Sequence, residues 1–84
     1  MSLYKLFGAR LREVRLQRKL TQVELAKRIK RSPGFISNME RGINAPSFDV
    51  LELLAQTLQI EVHELFIFTN TTNQPIRRVR PQRG

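Results

Sequence analysis

The sequence predicts an all-α fold, a compact domain of five short helices over residues 1–68 with a basic C-terminal tail over residues 69–84. Two observations support this prediction. Apolar residues recur at three- and four-residue spacing along most of the chain, which is the period of an amphipathic helix. Three of the apolar runs follow a residue that favours a helix start, namely Thr21, Ser32 and Ser47.

The first helix is predicted to run for about four turns and to end near Arg18. Its predicted buried side is formed by Leu3, Leu6, Phe7, Leu11 and Val14. The second helix begins after Thr21, because Thr21-Gln22-Val23-Glu24 fits a capping box in which the Thr21 hydroxyl and the Glu24 carboxylate each accept from the other's backbone N–H. Its apolar face is formed by Leu25, Ala26 and Ile29.

A second start signal opens the third helix. Ser32 is its predicted N-cap, and Pro33 takes the first helical position, where a missing N–H costs nothing. Ile36 and Met39 give the helix an apolar side, and Gly42 supplies a left-handed stop. Two helices this short cannot bury themselves, so they must pack on a larger core and leave the third helix with a free face. That arrangement suits insertion into a DNA groove.

The fourth helix opens at Pro46-Ser47, with Ser47 as N-cap. Its predicted buried stripe is Phe48, Leu51, Leu54, Ala55 and Leu58. A short fifth helix covers Val62 to Phe66 or Phe68 and places Val62, Leu65 and Phe66 on one side. Because the connections are short, the five helices are expected to pack as one orthogonal bundle.

Composition argues against several classes of protein. A chain of 84 residues forms one small domain with little room for a second core or an enclosed ligand cavity. It has no cysteine, which removes disulfides and thiolate metal sites and fits a cytoplasmic location. No apolar run approaches the roughly 20 residues that cross a bilayer, and the N-terminal segment lacks a signal-peptide core. No membrane association is therefore expected.

The net charge of +8 is unevenly distributed along the chain. Residues 1–42 contain eleven Lys or Arg and three Glu (+8), residues 43–68 contain four acids and no Lys or Arg (−4), and residues 69–84 contain four Arg (+4). The simplest interpretation is a cation-rich solvated face. Because the basic half also contains the two short helices, we instead predict a polyanionic partner for it and for the tail, most commonly nucleic acid.

Catalytic, metal and cofactor chemistry find no support in the sequence. The single histidine, His63, stands beside Glu64 with no serine or cysteine constellation around it, and a zinc site needs three or four ligands. No glycine-rich loop follows a strand, so nucleotide binding has no motif. His63 is interpreted as a surface or helix-end residue, and no catalytic residue, metal ligand or cofactor is predicted.

Six short motifs follow one another in a characteristic order within residues 5–66: Thr21-Gln22, Glu24-Leu25-Ala26, Ile36-Ser37, Glu40-Arg41-Gly42, Pro46-Ser47 and Glu64-Leu65-Phe66. In this order and spacing they resemble the phage repressor/Cro class of DNA-binding domains, the XRE family. The resemblance implies a five-helix, lambda-repressor-like domain whose second and third helices form a helix-turn-helix. It also implies symmetric homodimers on two-fold, inverted-repeat operators and a role in transcriptional control.

The resemblance further implies roles for individual residues. Gln22 matches a glutamine that grips a phosphate and supports the recognition helix, and Arg15 and Glu40 match an ion pair that orients this helix. Asn38 matches a position that reaches base edges, and its amide suits the N6/N7 edge of adenine. Ala26 matches a small residue that lets the second and third helices approach closely.

The start of the recognition helix departs from the family pattern. Pro33 and Gly34 carry no side-chain donor or acceptor, and Phe35 either touches a thymine methyl or covers the edge of the core. Lys30 in the turn, like Lys19 and Gln59, stands where relatives often have glycine, so a left-handed backbone there would cost on the order of 1 kcal/mol each. The predicted DNA-binding residues are Gln22, Lys30, Arg31, Ser32, Gly34, Phe35, Ser37, Asn38, Arg41 and Asn44.

Residues 69–84 are predicted to form an extended or flexible arm, since they are polar and contain two prolines and four arginines. Three interpretations remain open: an arm in the minor groove or along phosphates, a strand (Ile67 to Thr69 with Ile76 to Arg80) paired across a dimer, and a solubilising tail. Dimerisation is predicted at the fifth helix and just after it, through Val62, Phe66, Ile67 and Phe68.

Two functional hypotheses follow, and neither is an enzyme. The first is a homodimeric transcriptional regulator that binds double-stranded DNA sequence-specifically and acts in the cytoplasm at the nucleoid. Repression is favoured over activation, because blocking a promoter needs no additional surface. The second is an antitoxin-type module that binds a protein partner through residues 69–84 and also represses its own operon.

Overall fold

The computed structural model describes residues 2–68, and this part of the chain contains four α-helices, one 3₁₀-helix and no strand. The helices are α1 (Leu3–Gln17), α2 (Gln22–Ile29), α3 (Pro33–Glu40), α4 (Phe48–Leu58) and the 3₁₀-helix (Val62–Phe66). The all-α prediction is confirmed. The predicted tail, residues 69–84, lies outside the described residues.

The fifth helix is a 3₁₀-helix rather than an α-helix. It has five residues, and its geometry places residues three apart on the same face. Val62 and Leu65 therefore point to the core together, Leu65 fully buried and Val62 half-buried. The fifth helix is present where it was predicted, but the structure has four α-helices rather than five.

The predicted helix starts are confirmed for α2, α3 and α4. The hydroxyls of Thr21, Ser32 and Ser47 accept hydrogen bonds from the backbone N–H three residues further on, at 3.0, 3.1 and 3.2 Å. Ser2 caps α1 in the same way, which sequence analysis did not identify. Each cap satisfies a backbone donor that has no partner within its helix.

The core is formed where all five elements meet. Its largest fully buried side chains are Leu11, Val14, Leu25, Ile29, Ile36, Met39, Leu54, Leu58 and Leu65. Three residues predicted to be buried lie outside it, because Leu3 and Phe48 are 56% and 85% exposed and Leu6 is only half-buried. In α4, Val50 is buried in place of Phe48. Successive residues of an α-helix are rotated by about 100° around its axis, so Phe48 points about 90° away from the centre of the buried face.

The four α-helices end in the same backbone motif, in which the chain turns through a left-handed residue. These residues are Lys19, Lys30, Gly42 and Gln59, with φ angles of 60°, 60°, 79° and 61°. After α4, for example, Gln59 N–H donates to Gln56 O at 3.2 Å and Ile60 N–H to Ala55 O at 3.0 Å, which is a Schellman motif. Only one of the four positions holds glycine, although the conformation favours it.

We therefore expect Gln59→Gly to raise the free energy of unfolding by about 1 kcal/mol, because glycine removes the steric cost of the left-handed backbone. Gln56→Gly is the matched control, since it places glycine inside the same helix and should lower stability by about 1 kcal/mol. Urea unfolding followed by circular dichroism measures both. A loss of stability in Gln59→Gly would contradict the assignment.

Two arginines, Arg10 in α1 and Arg18 just after it, donate hydrogen bonds to carbonyls much later in the chain. Arg18 Nε donates to Leu58 O at 2.6 Å, 40 residues further along, and Arg10 Nε donates to Glu64 O at 2.7 Å, 54 residues further along. Both acceptors are carbonyls near helix ends, where a cation is favoured. None of the helices in this part of the chain is long and apolar enough to cross a membrane.

Candidate nucleic-acid interface

Helices α2 and α3 form a helix-turn-helix unit whose turn is Lys30 and Arg31. The capping box predicted at the start of α2 is present: Glu24 N–H donates to Thr21 Oγ1 at 3.0 Å, and Thr21 N–H donates to Glu24 Oε1 at 2.8 Å. The turn itself is closed by Arg31 N–H, which donates to Ala26 O at 2.9 Å. The angle between the two helices is therefore fixed by local hydrogen bonds.

The capping box is sensitive to acid. The backbone N–H of Thr21, followed by its hydroxyl, lowers the pKa of the Glu24 carboxyl below its usual range. A lowered pKa in the folded state means that this carboxylate stabilises the fold above the pKa of glutamate in the unfolded chain. The contribution is lost as the pH falls through the folded-state pKa.

A buried ion pair fixes the end of α3 against α1. Arg15 Nε and Nη2 donate to the two carboxylate oxygens of Glu40 at 2.6 and 3.0 Å, and the two side chains are only 7% and 3% exposed. Arg15 Nη1 also donates to Leu20 O at 2.8 Å, and Gln22 Nε2 donates to Glu40 Oε1 at 3.0 Å. This network joins α1, α2 and α3, so the orientation of α3 depends on all four residues.

A glycine that sequence analysis did not single out supports the same helix end. A Cβ at Gly8 in α1 would lie 2.4 Å from Met39 O and 2.6 Å from Glu40 O, so α1 meets the backbone of α3 directly. Lys5 Nζ lies 3.4 Å from Arg41 O, the next carbonyl along. The signal available in the sequence was an isolated glycine inside an amphipathic helix, which often marks a close packing contact.

The outward face of α3 carries the residues predicted to read DNA. Ile36 and Met39 are buried in the core, whereas Gly34 and Arg41 on the opposite face are exposed and Asn38 is half-buried between them. The side chain of Asn38 makes no hydrogen bond within residues 2–68, so its amide is available to an external partner. Ser37 flanks this face and is half-buried.

The turn and the loop after α3 hold the remaining predicted DNA-binding residues. Lys30, Arg31, Ser32 and Asn44 are exposed. The guanidinium of Arg31 lies 5.9 Å from the centre of the Phe35 ring, and its Nη1 contacts the carbonyls of Ile29 and Lys30 at 3.4 and 3.3 Å. Phe35 is half-buried against the core, which agrees with the core-edge interpretation and leaves part of the ring accessible.

Only part of the basic half is available for an external anion. Arg10, Arg15 and Arg18 donate to groups of the chain itself, as described above. Six side chains make no hydrogen bond or ion pair within the described residues, and all six are exposed: Arg12, Lys19, Lys27, Arg28, Lys30 and Arg41. Within residues 2–68, no group of three or more His, Cys, Asp or Glu side chains is arranged so that it could hold a metal ion.

The residues predicted to dimerise lie beside a larger apolar surface. Phe66 and Ile67 are 37% and 39% exposed, and Val62 and Phe68 are half-buried. Phe66 and the strongly exposed Phe48 line two largely apolar grooves, the first with Leu3 and Tyr4 and the second with Val62 and Glu52. The first groove has a volume of about 250 Å³. Sequence analysis missed Phe48 here because it had been placed in the core.

Comparisons with known proteins agree with this geometry. The sequence profile of the helix-turn-helix family matches residues 11–65. The chain is 40% identical over 55 residues to the immunity repressor protein of Bacillus phage phi105, covering 66% of this chain and 38% of the repressor. It is 41% identical over 56 residues to the HTH-type transcriptional regulator DdrOP3 of Deinococcus deserti, covering 67% and 43%. The chain thus spans about two fifths of the length of these curated relatives.

A solved structure with a similar fold is the restriction-modification controller protein C.AhdI from Aeromonas hydrophila. It superposes with a TM-score of 0.72 at 36% identity, covering 75% of this chain and 96% of the controller. The matched region contains most of the described helices.

Proposed function

Because this chain belongs to the helix-turn-helix family of DNA-binding transcriptional regulators, we propose that it binds double-stranded DNA sequence-specifically as a homodimer and represses transcription from an inverted-repeat operator. The proposal rests chiefly on the outward face of α3, where the Asn38 amide has no partner within residues 2–68. The Arg15–Glu40–Gln22 network holds this face in one orientation. Preorganised polar groups of this kind lose little entropy on binding.

In this proposal eight of the ten predicted DNA-binding residues have one of three roles: reading a base, contacting a phosphate or supporting α3. Asn38 reads a base edge in the major groove, because an asparagine amide can bond both N6 and N7 of adenine. The exposed cations Lys30, Arg31 and Arg41, together with the polar Ser37 and Asn44, contact phosphates and fix the register. Ser32 contributes mainly as the N-cap of α3, and Gln22 through its bond to Glu40. Such a protein would act in the cytoplasm, at the nucleoid.

The function is tested first by selecting binding sites from random duplex DNA. We expect an inverted repeat whose half-sites lie about 10–10.5 base pairs apart, or a multiple of that spacing. Anisotropy titrations at several salt concentrations should show a preference over scrambled DNA of about 10³-fold or more. Weak binding with a steep salt dependence and no enriched motif would contradict the proposal and favour the antitoxin-type alternative.

Asn38→Ala should lose discrimination at one base pair of each half-site, by about 1–3 kcal/mol, with little change in salt dependence. Lys30→Ala is the matched control, because loss of a phosphate contact weakens binding to all sequences and lowers the salt slope by about one. Titration of both variants against single-base operator mutants separates the two effects. If Asn38→Ala behaved like Lys30→Ala, the assignment of base readout would be wrong.

We propose that the homodimer forms through Phe48 together with Val62, Phe66, Ile67 and Phe68. A two-fold interface uses the same patch on both copies, and in this proposal Phe48 of each copy enters a groove that the other copy's Phe48 helps to line. Phe66 already packs one side of its ring on Phe7, with centroids 5.4 Å apart, so its exposed side is held in place. Burial of this surface by a second copy would remove an apolar patch that is large for a small monomer.

Phe48→Glu should weaken dimerisation at least tenfold, which corresponds to about 1.4 kcal/mol, because a carboxylate would be buried without a partner. The helical content should not change, since Phe48 makes little contact with the core. Leu16→Glu on α1 is the control, because Leu16 is also an exposed apolar residue but lines neither groove. Sedimentation velocity over a range of concentrations measures both. An unchanged dimer in Phe48→Glu would exclude this interface.

A further inference from the structure

The side chain of Arg31, in the turn between α2 and α3, is exposed but is placed by contacts within the chain. Its Nη1 donates to the carbonyls of Ile29 and Lys30, at 3.4 and 3.3 Å. Both carbonyls stand at the C-terminal end of α2, where the helix dipole favours a cation. The side chains of Lys30 and Arg41, the other two cations assigned to phosphates, have no such contact within residues 2–68.

Phe35, in the first turn of α3, adds a further contact to Arg31. The guanidinium carbon lies 5.9 Å from the centre of the Phe35 ring, within the distance at which a cation is attracted to an aromatic face. The ring is half-buried and packs against the core, and the Phe35 N–H donates to the Ser32 hydroxyl at 3.1 Å. Phe35 therefore gives the guanidinium a surface that is itself held in place.

These contacts leave one edge of the Arg31 guanidinium free. Nη1 donates to the two carbonyls, whereas Nε and Nη2 make no hydrogen bond within residues 2–68. The N–H groups of Nε and Nη2 lie parallel on one edge of the planar group, which is the arrangement that binds two oxygens of a phosphate or carboxylate at once. The free edge is therefore a fork for an oxyanion.

The place of Arg31 in the helix-turn-helix favours a DNA phosphate over a base edge. The first helix of this motif crosses the DNA backbone while the second enters the major groove, and Arg31 is held at the end of the first, α2. We infer that Arg31 binds one DNA phosphate through both Nε and Nη2, and that Phe35 is a positioning residue that holds the guanidinium for this contact. This inference rests on the proposed function and deepens it, since that function requires only a charge at Arg31.

The test uses the full chain and the operator obtained by selection, with each phosphate replaced in turn by an uncharged methylphosphonate. We expect one phosphate of each half-site whose replacement weakens binding by the parent chain about tenfold or more, but by Arg31→Ala only about twofold or less. Lys30→Ala is the control, because it removes the neighbouring cation and should keep the tenfold effect at that phosphate.

Arg31→Lys separates the fork from the charge. Lysine leaves the net charge unchanged, so the salt dependence of binding should stay the same. Its ammonium is a single point charge rather than a planar fork, so affinity for the unmodified operator should fall about fivefold, the value of one hydrogen bond.

Phe35→Leu tests the positioning role, because leucine keeps an apolar side chain against the core but removes the aromatic face. It should weaken operator binding about twofold to fivefold in the parent chain, the value of an exposed cation–π contact, and have no effect in Arg31→Ala. Phe35→Tyr keeps the aromatic face and should bind as the parent chain does. Direct contact of Phe35 with a thymine methyl would instead give the same loss in both backgrounds and would contradict the inference.

Equal effects of every methylphosphonate on the parent chain and on Arg31→Ala would overturn this inference alone. Loss of discrimination at one base pair in Arg31→Ala would also overturn it, because it would show that Arg31 reads a base. A failure to select any operator would overturn the proposed function with it.

Discussion

Glu40→Ala should lower the free energy of unfolding by about 3–5 kcal/mol, the cost of breaking a buried ion pair by removing one partner. The substitution leaves the Arg15 guanidinium charged, buried and without its carboxylate, and it removes the acceptor of the Gln22 amide. A loss of this size is a large part of the free energy of unfolding of a typical domain, which is about 5–15 kcal/mol. Urea unfolding followed by circular dichroism measures it.

Glu13→Ala is the matched control, because Glu13 pairs with Arg10 at 3.0 Å but is 44% exposed. Surface pairs of this kind contribute about 0–1 kcal/mol. The double variant Arg15→Met, Glu40→Leu should be more stable than Glu40→Ala, since no buried charge remains unpaired. Equal losses for Glu40→Ala and Glu13→Ala would show that the buried pair does not have the structural role assigned to it.

Gly8→Val should lower the free energy of unfolding by about 3 kcal/mol, at the upper end of the usual cost of overpacking. The new Cβ would lie 2.4 Å from Met39 O, a backbone atom that cannot move without displacing the end of α3. Gly8→Ala should also destabilise the protein, although alanine is the better helix former by about 1 kcal/mol. Urea unfolding gives both values, and operator binding should weaken because α3 is displaced.

Ala9→Val is the control for the β-branched side chain, because Ala9 follows Gly8 in α1 but is exposed. It should cost less than about 1 kcal/mol, the range of helix propensities for ordinary residues. A Gly8→Ala variant more stable than the parent chain would mean that α1 and α3 can separate without cost, and the proposed close contact would be wrong.

The helix starts could be predicted because their signals are local. A Ser or Thr hydroxyl and the N–H it caps are three residues apart, so sequence contains both partners of the bonds at Thr21, Ser32 and Ser47. The left-handed residues Lys19, Lys30 and Gln59 were anticipated from positions that hold glycine in the family. Their backbone conformation is confirmed.

The errors concern contacts between distant parts of the chain. Phe48 lies at the edge of the stripe of α4, and whether such a residue is buried depends on another element covering it, which the local pattern does not contain. Arg10 and Arg18 were counted with the basic surface, yet each bonds to a carbonyl more than 35 residues away. At Gly8 an isolated helical glycine indicates close packing, but the sequence does not show that the partner is the backbone of α3.

The Arg15–Glu40–Gln22 network has a consequence for how such a protein could change its target. The groups that hold α3 in position are the inward-facing or buried ones, whereas Gly34, Asn38 and Arg41 lie on the opposite, outward face. The side chains of these three residues take no part in holding α3, so we expect side-chain substitutions on the outward face to leave the position of the helix unchanged. If the proposed function is correct, the operator preference can change through side chains on this face while the packing of the domain stays the same.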